Sequence, residues 1–135
     1  MRGSLLLDAN SLISLFDGSD DELERVLCDT EELVIPVVAY AEVIAGTDAP
    51  TKRARATIKA LTSLLASPNT RLLQISEATA KHYSKIFNYL KRNGTPIPTN
   101  DIWIAAATLE IGGTLFTRDR HFLLVPMLDT IGLSD

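Results

Sequence analysis

Cysteine is nearly missing from this chain. Cys28 stands alone among 135 residues, so no disulfide can close within the chain, and neither a Cys-rich zinc site nor a Cys-x-x-Cys redox pair can form. Histidine is almost as scarce, and His82 and His121 are too few for a histidine cage around a metal. Long apolar runs are absent as well. The stretch from Leu33 to Ala41 is about half of the roughly 20 residues a membrane-spanning helix needs. No basic segment followed by an apolar one opens the chain, so no signal peptide is expected. Together these absences predict a cytoplasmic protein in a reducing environment, with no membrane partner. There is no cationic excess: Lys and Arg number 13 against 17 Asp and Glu, a net charge of −4. That balance argues against passive nucleic-acid binding, which favours basic domains, but not against an enzyme whose acids hold metal ions.

What is present is globular. Apolar residues make up 46% and charged residues 22%, with only 7 Gly and 6 Pro, which excludes disordered, collagen-like and coiled-coil chains. The length fits one domain over residues 1–135, large enough to bury a core without disulfides or a structural metal.

Apolar runs and helical periodicity alternate along the chain. Ser4 to Leu7 reads as a buried strand ending at Asp8, and Asn10 to Phe16 as a short helix stopped at Asp17-Gly18. Ser19-Asp20-Asp21-Glu22 opens a helix with acids in its first turn. Leu33 to Val38 is apolar and β-branched, a second strand, and Ala39 to Ala45 a helix that breaks at Gly46. Lys52 to Ala66 places Ala54, Ile58, Leu61 and Leu65 on one helical face. Arg71 to Ile75 is a third strand, and Ser76 caps a long helix that ends at Gly94. Asp101 to Ile111 is apolar nearly all round, which predicts a buried central helix, and Thr114 to Thr117 is a fourth strand. Such alternation predicts a three-layer α/β/α sandwich around a parallel sheet of about four to five strands. Ligands of such sheets gather at the carboxyl ends of the strands.

Four acids fall at that end: Asp8 closing the first strand, Glu42 in the helix after the second, Asp101 in the first turn of the apolar helix, and Asp119 just beyond the fourth strand. Each has an ordinary explanation. Asp8 could cap the following helix, Asp101 could complement a helix dipole, and Asp119 could be a turn residue. Glu42 resists one, because Val37 to Ile44 is otherwise apolar and a buried unpaired carboxylate there is costly. Convergence of all four is harder to explain than any one of them. Clustered carboxylates repel one another and stay ionised together only beside cations. An all-oxygen site with open positions suits Mg²⁺ or Mn²⁺, ions that can activate water and stabilise charge on a phosphoryl group.

On these residues the chain resembles the PIN-domain family of metal-dependent ribonucleases, and within it the VapC-type toxins of toxin–antitoxin pairs. The resemblance is carried by Leu5-Leu6-Leu7-Asp8-Ala9-Asn10-Ser11-Leu12-Ile13, by Pro36 to Gly46 around Glu42, by Ile97 to Ala107 around Asp101, and by Leu115 to Phe122 around Asp119. It implies that Asp8, Glu42, Asp101 and Asp119 form a catalytic cluster that binds metal and cleaves RNA. It also implies a homodimer and inhibition by a small VapB-type antitoxin, whose Arg or Lys could reach the acids.

Asn10, Ser11 and Thr117 lie close enough in sequence to orient a site acid, or serve as local caps and turns. Arg118 and Arg120 flank Asp119 and could hold a scissile phosphate, or simply counter Asp119. Lys52, Arg53, Arg55 and Lys59 on one helix, and Lys81, Lys85, Lys91 and Arg92 on another, could form an RNA-facing rim or ordinary solvated faces. His121 invites a general-base role that a two-metal site does not require. An aspartyl-nucleophile phosphatase fits poorly because Asn10 occupies the place of its second Asp. A receiver domain fits poorly because no Lys follows Lys91. A PIN-like module that only binds RNA or a partner, and an RNA-processing nuclease outside a toxin–antitoxin pair, remain as alternatives.

Overall fold

A computed structural model describes residues 2–133. Five strands form one sheet: β1 (Arg2–Leu7), β2 (Thr30–Pro36), β3 (Thr70–Leu73), β4 (Thr114–Phe116) and β5 (Thr130–Ile131). Every pairing is parallel, and the order across the sheet is β3-β2-β1-β4-β5. Six helices flank it: α1 (Ala9–Asp17), α2 (Asp21–Cys28), α3 (Val37–Ala45), α4 (Lys52–Leu65), α5 (Glu77–Asn93) and α6 (Thr99–Ile111). The expected parallel α/β sandwich is therefore the observed fold. No helix among the described residues is long and apolar enough to cross a membrane.

The sheet is parallel because helices must cover both of its faces, and the central strands are correspondingly apolar on both sides. Leu5, Leu6 and Leu7 of β1, Val34 and Ile35 of β2, and Leu115 and Phe116 of β4 are all fully buried. Helix α6 earns its apolar circumference: Ile102, Ile104 and the run Ala105 to Thr108 are all buried. Helix α5 packs along α6 through Ile86 and Leu90, with Tyr83 stacked on Trp103 at 4.1 Å between ring centroids.

The structure departs from the sequence reading at several element ends, β2 starting at Thr30 rather than Leu33 and β3 ending at Leu73 rather than Ile75. Strand β2 stops at Pro36 and α3 begins at Val37 with no loop between them, so Val37 and Val38 are helical despite their β-branching. Pro36 lacks the N–H to extend the ladder, and its fixed φ of −61° suits the position before a helix. Strand β5 was not anticipated, since Thr130-Ile131 is too short to register as an apolar run.

The chain builds β1, β2 and β3 outward on one side, then crosses to place β4 on the far side of β1. The order reverses between β1 and β4, and at such a switch point the strand ends leave a crevice.

Candidate active site

Asp8 follows β1 at the mouth of that crevice and is only 6% exposed. Both of its oxygens are held. Oδ1 accepts the Ser11 backbone N–H at 2.9 Å, which makes Asp8 the N-cap of α1, and Oδ2 accepts the Thr117 hydroxyl at 2.5 Å. The capping explanation and a place in the acid cluster are thus both true of this residue. Ser11, itself buried, gives its hydroxyl to the Phe116 carbonyl at 3.2 Å and ties α1 to the end of β4.

Thr117 is fully buried between the two halves of the site. While donating to Asp8 it accepts the Asp119 N–H at 3.0 Å, so one hydroxyl spaces two acids from different strands. Asp119 caps the 3₁₀ turn Arg120–Leu124 by accepting the His121 N–H at 2.9 Å. His121 Nδ1 lies 3.2 Å from both Asp119 Oδ1 and Asp101 Oδ2. Asp101, in the first turn of α6, and Glu42, on α3, complete the set.

All four acids line one cleft of about 340 Å³, together with Asn10, Asn100 and His121. Among the described residues no Lys or Arg lines it. The electrostatics follow from that. Asp101 is held above the ordinary carboxylate range, first by burial and then by repulsion from Asp119, with Asp8 adding to it and His121 opposing. Glu42 is raised too, by desolvation ahead of repulsion from Asp101 and Asp8, while a hydrogen bond from Asn100 opposes the shift. Carboxylates that are hard to ionise together are suited to a positive ion. Carboxylate oxygens at an open cleft fit a hard divalent cation, and Asp101 and Asp119, with a ring nitrogen of His121, offer ligand atoms within 4.8 Å of one another.

Several expectations need adjusting. Glu42 is surface-exposed rather than sunk in an apolar helix, because α3 turns this position toward the cleft. Arg118 does not reach across the cleft. Its guanidinium grips Asp20 in a bidentate pair at 2.9 and 3.1 Å, meets Glu22 at 2.9 Å, donates to the Gly132 carbonyl at 2.7 Å and lies over the Phe116 ring. Arg120 is exposed on the 3₁₀ turn and is not among the residues lining the cleft. Asn100 and the double contact of His121 were not foreseen. Asn100 carries no signal except its place beside Asp101, and His121 was considered only as a general base, not as a shared partner of two acids.

A PIN domain family model matches residues 5–126, and the chain belongs to that family. It is 33% identical over 117 residues to ribonuclease VapC1 of Haemophilus influenzae strain R2866, covering 84% of this chain and 85% of that protein. The VapBC-1 structure from nontypeable Haemophilus influenzae superposes with a TM-score of 0.80 at 27% identity, over 95% of this chain and 96% of that one. A DNA-bound VapBC from Salmonella typhimurium gives 0.81 over 95% and 96%, and at 22% identity it speaks for the fold alone.

Proposed function

We propose that this chain is an endoribonuclease of the VapC toxin type, hydrolysing RNA phosphodiester bonds with Mg²⁺ or Mn²⁺. The observation that carries the reading is the cation-free cleft in which Asp8, Glu42, Asp101 and Asp119 arrive from four separate elements at the sheet's switch point. A divalent ion held by these carboxylates would supply Lewis acidity for water activation and for charge building on the phosphate.

The chain's own residues set up that chemistry. Ser11 and Thr117 use both oxygens of Asp8, which fixes the carboxylate's orientation before substrate arrives. Thr117 and the His121 N–H hold Asp119 from two sides. His121, with Nδ1 shared between Asp101 and Asp119, steadies two acids that repel. In hydrolysis a water oxygen joins phosphorus and a ribose oxygen leaves, and Asn10 and Asn100 at the cleft wall are donors for the polar groups around that phosphate. Arg118, held by Asp20 and Glu22, supports the site and lines a smaller cavity with Asp8 and Asp119.

The solved VapBC complexes pair such a chain with an antitoxin, and the same partner is proposed here: a VapB-type protein offering an Arg or Lys to the acidic cleft. A homodimer in the cytoplasm completes the reading, checked by light scattering. The decisive experiment is cleavage of single-stranded RNA with Mg²⁺ or Mn²⁺ against a chelated control. Metal-dependent endonucleolytic cuts support the assignment. Binding without cleavage would make the protein an RNA- or partner-binding module instead.

A further inference from the structure

The catalytic cleft does not end at Glu42. Ala9, Asn10 and Glu42 also line a second groove of about 280 Å³ between α1, α3 and α4, so the two spaces share a wall. Along this groove a cation joins the acid, since Glu42 and Arg53 both line it. The cleft has four acids and no Lys or Arg, whereas the groove holds Arg53 of α4, with Thr47, Thr51 and Thr57 around it. Of the four cations on α4, only Arg53 lines the groove. Lys52, Arg55 and Lys59, at spacings of three and four, form a separate exposed stripe.

From this we propose that the groove binds a nucleotide flanking the scissile bond, with Arg53 taking its phosphate. The inference rests on the ribonuclease reading and names where the rest of the RNA strand lies. Its volume is near the lower end of small-ligand pockets, roughly 300 Å³, and its mixed polar and apolar wall suits a sugar and base edge. A strand whose reacting phosphate sits among acids needs a cation at the next phosphate to hold it there, and Arg presents paired donors for that. Arg53 is available for this exchange. Its ion pair with Asp17 at 3.3 Å joins side chains 74% and 46% exposed, the kind of contact that holds weakly against a phosphate. Asp17 therefore acts as a competitor for the same guanidinium.

Cleavage kinetics on a labelled single-stranded RNA test this, with fluorescence anisotropy of the same RNA in an Asp101→Asn background as a second readout. Arg53→Glu should raise KM at least ten-fold with kcat within two-fold, and Arg53→Lys should restore most of the loss. Asp17→Asn should lower KM. The Lys52→Ala/Arg55→Ala pair on the outer stripe should leave KM within two-fold. One lost phosphate contact should flatten the plot of log affinity against log salt by about 0.7, the single-strand value. Trimming the RNA on one side of the cut should abolish the difference between wild type and Arg53→Glu. Should the wild type cleave no RNA, the ribonuclease reading fails while anisotropy still reports on the groove. RNA affinity and KM that ignore Arg53, or that fall equally with the outer pair, overturn the proposal and leave the groove to a protein partner.

Discussion

Two acidic clusters lie side by side in this molecule and are treated in opposite ways. Asp20 and Glu22, at the start of α2, receive Arg118, and its hydrogen bonds hold the Asp20 carboxyl below its ordinary range. Asp8, Glu42, Asp101 and Asp119 line a cleft that no Lys or Arg among the described residues lines with them, and Asp101 and Glu42 are pushed up. The first cluster is complete as folded. In the second, Asn100 and His121 oppose the repulsion without reversing it, the pattern expected of a functional site.

The sharpest way to break that contrast is to neutralise an acid in each cluster. Asp8→Asn or Asp101→Asn should lower RNA cleavage by roughly 10²–10³-fold, the equivalent of several kcal/mol of lost charge stabilisation, with an unchanged circular dichroism spectrum. Full activity in a folded Asp8→Asn protein would remove the cluster from the chemistry. Divalent ions should separate the clusters next. Mg²⁺ or Mn²⁺ at a hundred times its dissociation constant should stabilise the wild type by about 2.7 kcal/mol in thermal melts, and the Asp101→Asn protein by much less. Arg118→Met attacks the paired cluster. Half-exposed as it is, the guanidinium should be worth about 1 kcal/mol in urea unfolding through its charged hydrogen bonds.

The smallest effect is a matter of sign. The Asp20 carboxyl is lowered from 3.8, so its stabilisation is present above that pH and lost as pH falls through the folded value; the cost of Asp20→Asn should vanish in acid. Asp101 is raised from 3.8, so the folded state holds its proton more tightly and stability declines as pH rises through the folded value. In chelated protein, Asp101→Asn should therefore be the more stable form at neutral pH and equal to wild type below pH 3.8. Urea midpoints across a pH series read both slopes.

Much of this was legible before the structure. Leu5-Leu6-Leu7 followed by Asp8 announces a buried strand with a polar exit, and the apolar circumference of α6 announces a helix with no free face. Both follow from local residue chemistry. What was not legible depends on partners distant in sequence. Arg118 stands beside Asp119, yet turns toward Asp20, 98 residues away, because the fold brings the start of α2 there. Thr117 and Asp8 are 109 residues apart, and only the pairing of β4 with β1 brings their side chains into one hydrogen bond. Glu42 was placed correctly along the chain but wrongly in depth, since a short apolar helix gives no sign of which edge of it meets water.

Gly132 shows how finely the Arg118 support is fitted. Its φ of +100° is open to glycine, and a Cβ there would come within 2.7 Å of the Thr117 carbonyl oxygen.

The sheet's outer strands are short: four residues in β3 and two in β5. An incoming strand would find few free backbone donors and acceptors to zip onto, so the fold offers little template for open-ended stacking into fibrils. What the fold leaves open for contact is mostly helix surface rather than strand edge.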